Sequence, residues 1–494
     1  MNIEAMGTAL GVLLSPTGAI FLMLGTCVGL TVGAIPGLSG IVGMTLLLPF
    51  ILPLEPEVAI LMFIGVTAVT HTGDTVPAVL FGVPGTAGAM ATVVDGYPMA
   101  KKGEAARALS AAYTVSAMGG VIGAVFLLAT VPIVRELVLL MKSPELLMMA
   151  LMGLSMVGVL ATRAPLMGLA LAAFGLLVSQ VGTHLATGTC RWWFGQAYLV
   201  DGVPTIPAIL GIFGFTEMSD LAIRSTKISA KAEELGKGAW QGVRDGFHHW
   251  FLMLRCSAIG VWIGVIPGVG AAVADWMAYG HAVQTEKPRE SFGTGDVRGV
   301  IASESANNSK AGGSLLPTLA FGVPGSGSMI VLLAAFTMLG VVPGPKLFTE
   351  TPQLIYVIIW GLAVANIIGC LLCFALTKPM AKICQMPIAI LAPLVMVFLF
   401  IGVQQTTNTM WDLYTLVFFG ILGYILKKVD WPRIPIVLGL VLGGIIERYL
   451  FISNASYGIS WLWRPGVIII FLLTIAGVIY ASRGMGQVSK GERR

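Results

Sequence analysis

The sequence predicts an all-α polytopic membrane protein built from two inverted repeats with re-entrant or broken helices. Three observations carry that expectation. Of 494 residues, 56% are apolar and only 11% charged, and the mean hydropathy is +0.89; in a soluble protein roughly a quarter are charged. The 62 glycines and 26 prolines are interleaved with long Leu, Ile, Val and Met runs, as in membrane helices that are interrupted and re-satisfied by their neighbours. Third, two landmarks recur in the same order. Residues 33–37 read GAIPG and 264–268 read GVIPG, an offset of 231 (264 less 33), while 76–85 read VPAVLFGVPG and 316–325 read LPTLAFGVPG, an offset of 240 (316 less 76). Such recurrence marks an internal duplication.

The first span, Pro16 to Ala34, follows no basic stretch and has no clear small-residue cleavage site, so it reads as a retained helix. Gly25, Gly29 and Gly33 recur within it at helical spacing, as Gly260 and Gly264 do before the second break; such stripes let helix backbones approach closely. Beyond the first break, Ile41 to Leu54 and Val58 to Thr70 are each shorter than a span, and a polar break is expected at His71 to Thr75. A spanning helix takes about 20 apolar residues. The second copy has the same plan, with its polar break from Ser303 to Gly313. Further spans are expected near 106–131, 145–162, 164–182 and 204–219, then 352–377, 387–403, 411–426, 434–450 and 461–482. The expected divisions are a first membrane repeat over 1–220, a linker over 221–245, a second repeat over 246–450, and an extra helix with a basic tail over 451–494.

Charge orients the copies. The linker region carries Arg224, Lys227, Lys231, Lys237 and Arg244, whereas no Lys or Arg precedes the first copy. The positive-inside rule puts the linker in the cytoplasm and the N-terminus outside, so the copies enter the membrane from opposite sides. Lys101, Lys102 and Arg107 after the first FGVPG, against Lys346 alone after the second, fit that inversion, and the tail with Arg483, Lys490, Arg493 and Arg494 falls inside. Arg135, Lys142 and Arg191 fall outside, against the trend. The net charge of +5 forms no basic face for nucleic acid. No GxxxxGK[ST] is present, so work must come from an ion gradient or a partner. The six cysteines read mostly as buried hydrophobes.

Candidate site residues follow from the breaks. Short, Gly/Pro-interrupted segments at corresponding places in two halves point to a transporter's substrate site near the midplane. The turns Gly82, Pro84, Gly85, Thr86 and Gly325, Ser326 leave backbone groups to be satisfied by protein, water or ligand, and are expected to touch substrate. Asp74 and Ser314 are equivalent under the 240 offset, and each precedes a proline by three residues. Both read as N-caps of half-helices whose N–H groups would attract a carboxylate. Asp74 is itself anionic, so it reads as a coupling-ion group or simply a cap. Asn307, Asn308 and Ser309 offer neutral polar groups for carboxylate oxygens or a sodium ion. Lys310 and Glu304 read either as a substrate-pairing cation and an ion ligand or as snorkelling ends, and His71 as a hydrogen-bonded histidine or a proton carrier. No cofactor or metal is expected beyond a coupling Na+ or H+.

A rival reading is enzymatic. Residues 37–40 read GLSG, the pattern around the nucleophile of rhomboid-type intramembrane proteases, with His71 as a conceivable base. Against it, Ser39 corresponds to Gly270 under the 231 offset, so both copies ask there for a small residue, expected to line the substrate site rather than to act as a nucleophile. A non-transporting membrane scaffold is the other alternative.

The stretch DGYPMAKKGEAARAL from Asp95 to Leu109, with GAIPGLSG before it, ANNSKAGGSLLPTLAFGVPG from Ala306 to Gly325, and VVPGPKLF from Val341 to Phe348, resembles the large membrane subunit of the tripartite tricarboxylate transporters over nearly the whole chain. The resemblance implies a multi-pass subunit of a bacterial inner-membrane secondary transporter, with a fold similar to two-repeat elevator transporters. Its implied partners are a small four-helix membrane subunit, a periplasmic solute-binding protein, a carboxylate substrate and the lipid bilayer. It also implies coupling to sodium or protons. Two tips depart from the family pattern: His71 to Asp74 replaces a YGGS-like segment, and Ser309 with Lys310 replaces an Ala-Val pair. The substrate class therefore stays open among citrate-like and aromatic di- and tricarboxylates.

Overall fold

The computed structural model describes residues 3–86, 88–160, 165–184, 187–224, 235–268 and 271–491. Lys227 and Lys231 of the linker, Gly270, and Arg493 and Arg494 of the tail lie outside the described residues.

The first half runs α1 Ile3–Leu14, α2 Pro16–Ala34, α3 Gly40–Leu47, α4 Pro56–Phe81, α5 Met90–Lys101, α6 Ala105–Leu140, α7 Ser143–Leu160, α8 Pro165–Ser179, α9 Thr205–Ile209 and, after a π-helical turn over Leu210–Phe215, α10 Thr216–Arg224. The second half runs α11 Ala239–His248, α12 Trp250–Val265, α13 Ala271–Thr285, α14 Val297–Phe321, α15 Gly327–Met338, α16 Pro345–Thr349, α17 Pro352–Cys384, α18 Ile388–Thr407, α19 Met410–Lys428 and α20 Ile434–Tyr457. The helix α21, Pro465–Gly491, follows. Two short antiparallel strands, β1 Gly182–Thr183 and β2 Cys190–Arg191, pair Gly182 with Arg191. Eight helices among the described residues are long and apolar enough to cross a membrane, so the chain is an all-α polytopic membrane protein. Exposed Leu371 and Phe418 lie on such helices, the placement lipid-facing side chains need because lipid does not penalise them.

The expected first span coincides with α2, and its glycines have a specific use. A Cβ at Gly29 would come within 2.8 Å of the Val66 carbonyl oxygen of α4, and one at Gly33 would collide with the Thr70 carbonyl. In the second half Gly260 meets Ala306 and Gly264 meets Lys310 in the same way. These contacts match residue for residue under the 231 and 240 offsets. Two close-packed pairs result, α2 on α4 and α12 on α14. Around them α6 packs on α14 and α17 on α4.

The structure corrects the expected positions of the polar breaks. The helix α4 is continuous through His71 to Thr75, and α14 is continuous through Ser303 to Gly313. Asp74 and Ser314 are therefore interior helical residues and do not cap half-helices. The physical reason is that small hydroxyl side chains here return their protons to the preceding turn, as Thr75 does to the His71 carbonyl at 3.4 Å and Thr318 to the Ser314 carbonyl at 2.7 Å. Polar side chains therefore need not end the helix. Pro77 and Pro317 are also accommodated inside. A helical proline clashes with the carbonyl four residues back, and those positions are Gly73 and Gly313, where the partner helices α2 and α12 press closest.

The breaks lie one step later. Each long helix ends on a left-handed glycine, Gly82 (φ 65°, ψ 21°) and Gly322 (φ 67°, ψ 20°), whose N–H turns back to the Pro77 or Pro317 carbonyl. Only glycine takes this conformation without a Cβ penalty. The cysteines divide: Cys256, Cys370, Cys373 and Cys384 are buried as expected, while Cys27 and Cys190 are exposed.

Candidate functional site

After each left-handed cap the chain folds back over its own helix. Gly85 lies against Asp74 and the Gly33 carbonyl, and Gly325 lies against Ser314, each too closely for a Cβ. The first turn is tied to the break after α2 by a Gly37 N–H to the Gly85 carbonyl at 3.4 Å. After the break that follows α2 starts α3, with Ser39 at its N-cap, and beyond the second turn starts α15, with Ser326 at its N-cap. Neither serine side chain makes a capping bond. The first N–H groups of an uncapped helix have no partner within it and carry the positive end of its dipole.

These tips enclose a cavity of about 300 Å³. Ser39, Gly40 and Ile41 line it from α3, and Ser326 to Met329 from α15; Thr86 and Gly88 come from the first turn, and Ala271 from the start of α13. The long helices contribute Thr67 and His71 from α4, and Asn307, Lys310, Ala311 and Ser314 from α14. Under the 240 offset Thr67 pairs with Asn307, His71 with Ala311 and Thr86 with Ser326. The cavity thus lies where like segments of the two halves meet. Among the described residues of the lining, Lys310, 5% exposed, is the one cationic side chain apart from any charge on His71.

Of the residues singled out from the sequence, Ser39, His71, Thr86, Asn307, Lys310, Ser314 and Ser326 line this cavity, and the others do not. Gly82 is a helix cap packed under the Tyr97 ring, Pro84 lies in the turn, and Gly85 and Gly325 are packing glycines. Asn308 turns to the interior, sharing its amide N–H groups among Ala68 O (3.2 Å), Thr72 Oγ1 (2.8 Å) and Asn366 Oδ1 (2.8 Å), and so ties α14 to α4 and α17. Ser309 donates to the Ser257 carbonyl at 2.9 Å, on the α12 side. Glu304 is wholly buried, accepting from Thr92 at 2.6 Å and Ser116 at 3.3 Å between α5, α6 and α14. Asp74 stands behind the lining, accepting from Thr86 at 2.5 Å with His71 Nδ1 3.5 Å away.

Sequence reasoning missed Asp275, wholly buried in α13. Its signal was available, because Asp275 is the single carboxylate in the run from Ala271 to Thr285, and an acidic residue in a membrane protein's mainly apolar stretch is a functional candidate by default. Thr67, Ser328, Met329 and Ile434 also line the cavity and carried no sequence signal. The signature residue Asp95 proves to be a clamp away from the cavity. Its Oδ1 accepts the N–H groups of Gly293, Gly295 and Asp296 at 2.8–2.9 Å and its Oδ2 the Tyr279 hydroxyl at 2.9 Å. This holds α5 to the loop between α13 and α14.

The bonds of a serine-protease relay are not made. His71 Nδ1 has no hydrogen-bond partner, and its 3.5 Å to Asp74 exceeds the 2.6–3.2 Å such a relay uses. What the cavity can do is hold an anion: two helix N-termini, one ammonium group and several hydroxyls face it from both halves. Buried polar atoms without partners gather here too, including Asn307 Oδ1, Ser314 Oγ and both oxygens of Asp275.

A polytopic helical protein with a cavity lined by helix tips from both halves of the chain has the architecture of a membrane transporter. The family model described as the tripartite tricarboxylate transporter TctA family matches residues 19–438, and the chain belongs to that family. The family supplies the large membrane subunit of a transport system that works with a small membrane subunit and a periplasmic binding protein. The chain is 30% identical over 445 residues, 88% of its length and 87% of the relative's, to an uncharacterized 52.8 kDa protein in the TAR-I ttuC' 3' region of Agrobacterium vitis. It is 35% identical over 192 residues, 38% of its length and 78% of the relative's, to an uncharacterized protein in the TAR-II ttuC' 3' region of the same organism. No solved structure matches.

Proposed function

We propose that this chain forms the pathway by which a di- or tricarboxylate, citrate-like or aromatic, is imported across the bacterial inner membrane. A periplasmic solute-binding protein delivers the substrate, a small four-helix subunit completes the membrane part, and a Na+ or H+ gradient drives uptake. The observation that carries this reading is the cavity between the tips, where the N-termini of α3 and α15 and the Lys310 ammonium converge. An anion at membrane depth is costly to desolvate, and fixed N–H dipoles offset that cost without trapping the ion.

The two halves read as inverted repeats. Arg107 pairs with Asp245 at 2.6 Å, the Ala106 N–H reaches the Leu235 carbonyl at 2.7 Å, and Lys102 reaches the Thr294 carbonyl at 2.6 Å. The basic turn after α5 therefore shares a face with the basic linker, as cytoplasmic segments would. Helices α2, α4 to α6 and α12 to α14, with α17, pack mainly on one another, and α7, α8, α20 and α21 form a second group. That partition supports an elevator motion in which the cavity-bearing group moves past the other. His71 in the lining, Asp74 behind it and Glu304 buried between α5, α6 and α14 remain proposed coupling groups.

The test is uptake in a strain co-expressing the partner subunits, normalised to protein in the membrane. Lys310→Ala should weaken apparent affinity about tenfold or more for a tricarboxylate, the scale of a lost charge-assisted contact, and much less for a monocarboxylate. Asn307→Ala and Ser314→Ala should weaken both. Wild-type constants in all three variants would mean that substrate passes elsewhere.

A further inference from the structure

The helix α11 has ten residues, too few to cross a bilayer, yet it turns large aromatic side chains outward. Its inner face is built on glycine: a Cβ at Gly242 would strike the Arg107 carbonyl of α6, and Gly246 sits against Thr114 and Val115 of the same helix. On the opposite face Trp240, 79% exposed, Arg244 and Phe247, 58% exposed, recur at steps of four and three residues, so they form one row. A single residue, His249, separates α11 from α12. That apolar helix meets α14 at Gly260 and Gly264, and its exposed Phe251, Leu254 and Trp262 continue the outward row. The row thus passes from a surface suited to acyl chains to one of Trp, Phe and Arg, the side chains that favour the level of the lipid headgroups.

Cations gather at the same end. The turn after α5 docks on the approach to α11, where a Cβ at Gly236 would strike the Gly103 carbonyl. Exposed Lys101 and Lys237 flank that contact, and exposed Arg244 follows two helical turns beyond Lys237. Lys101 lies over the Tyr97 ring at 4.5 Å, and none of the three has a carboxylate partner among the described residues. The nearby carboxylates are engaged elsewhere, Asp245 by Arg107 at 2.6 Å and Glu104 by Arg107 at 3.1 Å. We infer that α11 lies in the bilayer interface on the linker face, and that Lys101, Lys237 and Arg244 hold the headgroup of an anionic phospholipid. Unpaired cations beside exposed aromatic rings complement a surface that is anionic at its phosphates and apolar beneath. A protein docked on α11 alone would leave Phe251, Leu254 and Trp262 uncovered, whereas lipid covers the whole row. The site does not depend on what the chain transports.

The experiment follows a bimane fluorophore on Gln241→Cys, an exposed neighbour of the row, in the full chain with the exposed Cys27 and Cys190 replaced by serine. The protein is placed in phosphatidylcholine nanodiscs containing nitroxide-labelled phosphatidylglycerol or nitroxide-labelled phosphatidylcholine, and quenching is measured against the mole fraction of labelled lipid. Both lipids should quench. Phosphatidylglycerol should do so at about one-fifth the mole fraction or less, since a single basic contact with an anionic surface is worth about fivefold. With Lys101→Gln, Lys237→Gln and Arg244→Gln combined, the two lipids should quench alike, while Lys346→Gln, away from α11, should keep the preference. Trp240→Ala should reduce quenching by both lipids. The substituted side chains are all exposed, and Arg244→Lys, which keeps the charge, should also keep the preference. No quenching by either lipid would mean that protein or water covers α11, and overturns the inference. Equal quenching in the chain with all three cations, or a preference that survives their removal, overturns the headgroup site. So does a preference abolished by millimolar inorganic phosphate at constant ionic strength, which would assign the cations to a free anion.

Discussion

Gly264 controls how near α12 comes to the Lys310 level of α14. A Cβ there would strike the Lys310 carbonyl and stand 3.0 Å from the Ser314 N–H. Both contacts are backbone, so nothing flexible can yield. Overpacking of this kind costs about 1–3 kcal/mol. Gly280, in α13, has nothing within 4 Å of such a Cβ, and alanine there should gain up to about 1 kcal/mol of helix propensity. Gly264→Ala is accordingly expected to lower the melting temperature in detergent and to reduce uptake by the protein that remains. Gly280→Ala should leave uptake intact and hold or raise the melting temperature. Equal behaviour of the two variants would show that the close approach of α12 does not set the site. The glycine stripe was legible in the sequence because close packing demands the smallest residue at every turn. Asp74 was misread for an equally local reason: a polar residue three before a proline is what an N-cap looks like, and only the partner helix reveals that the chain stays helical through it. Its Oδ2 accepts from Thr86, twelve residues on, a contact that no local pattern announces.

At the scale of elements, the span boundaries were readable because apolar length and Gly/Pro punctuation are local properties. The long helices α6, α17 and α20 begin within a residue or so of where hydropathy puts them, and α2 agrees at both ends. The helix α1 was missed, since its twelve residues are too few to span. The breaks were placed one step too early, because hydropathy registers polar side chains while the backbone responds to left-handed glycine at Gly82 and Gly322. How the elements are oriented leads to a separate expectation. Lys101 ends α5 and Lys346 opens α16, and both are in the exposed class or close to it. If the halves are inverted, single cysteines at 101 and 346 should react with a membrane-impermeant thiol reagent from opposite faces of the membrane, 346 from outside intact cells. Reaction from one face would make the repeats parallel.

For the whole molecule, the account comes down to whether one carboxylate is held by both halves at once. The duplication was visible in the sequence, whereas the cavity was not, because it exists only where residues some 240 positions apart are brought together, and Asp275, buried behind Gly88 of the lining, stands where Met44 does in the other copy. Ser39 and Ser326 offer one probe from each half, each at a helix N-terminus facing the cavity. The direct measurement uses Ser39→Cys and Ser326→Cys singly, in a background where the exposed Cys27 and Cys190 are replaced by serine, and follows the rate of thiol alkylation against carboxylate concentration. The account predicts that a transported carboxylate slows both reactions with the same half-maximal concentration, and that Lys310→Ala shifts both equally. Alkylation of both cysteines at an unchanged rate, in a protein that still transports, would contradict it.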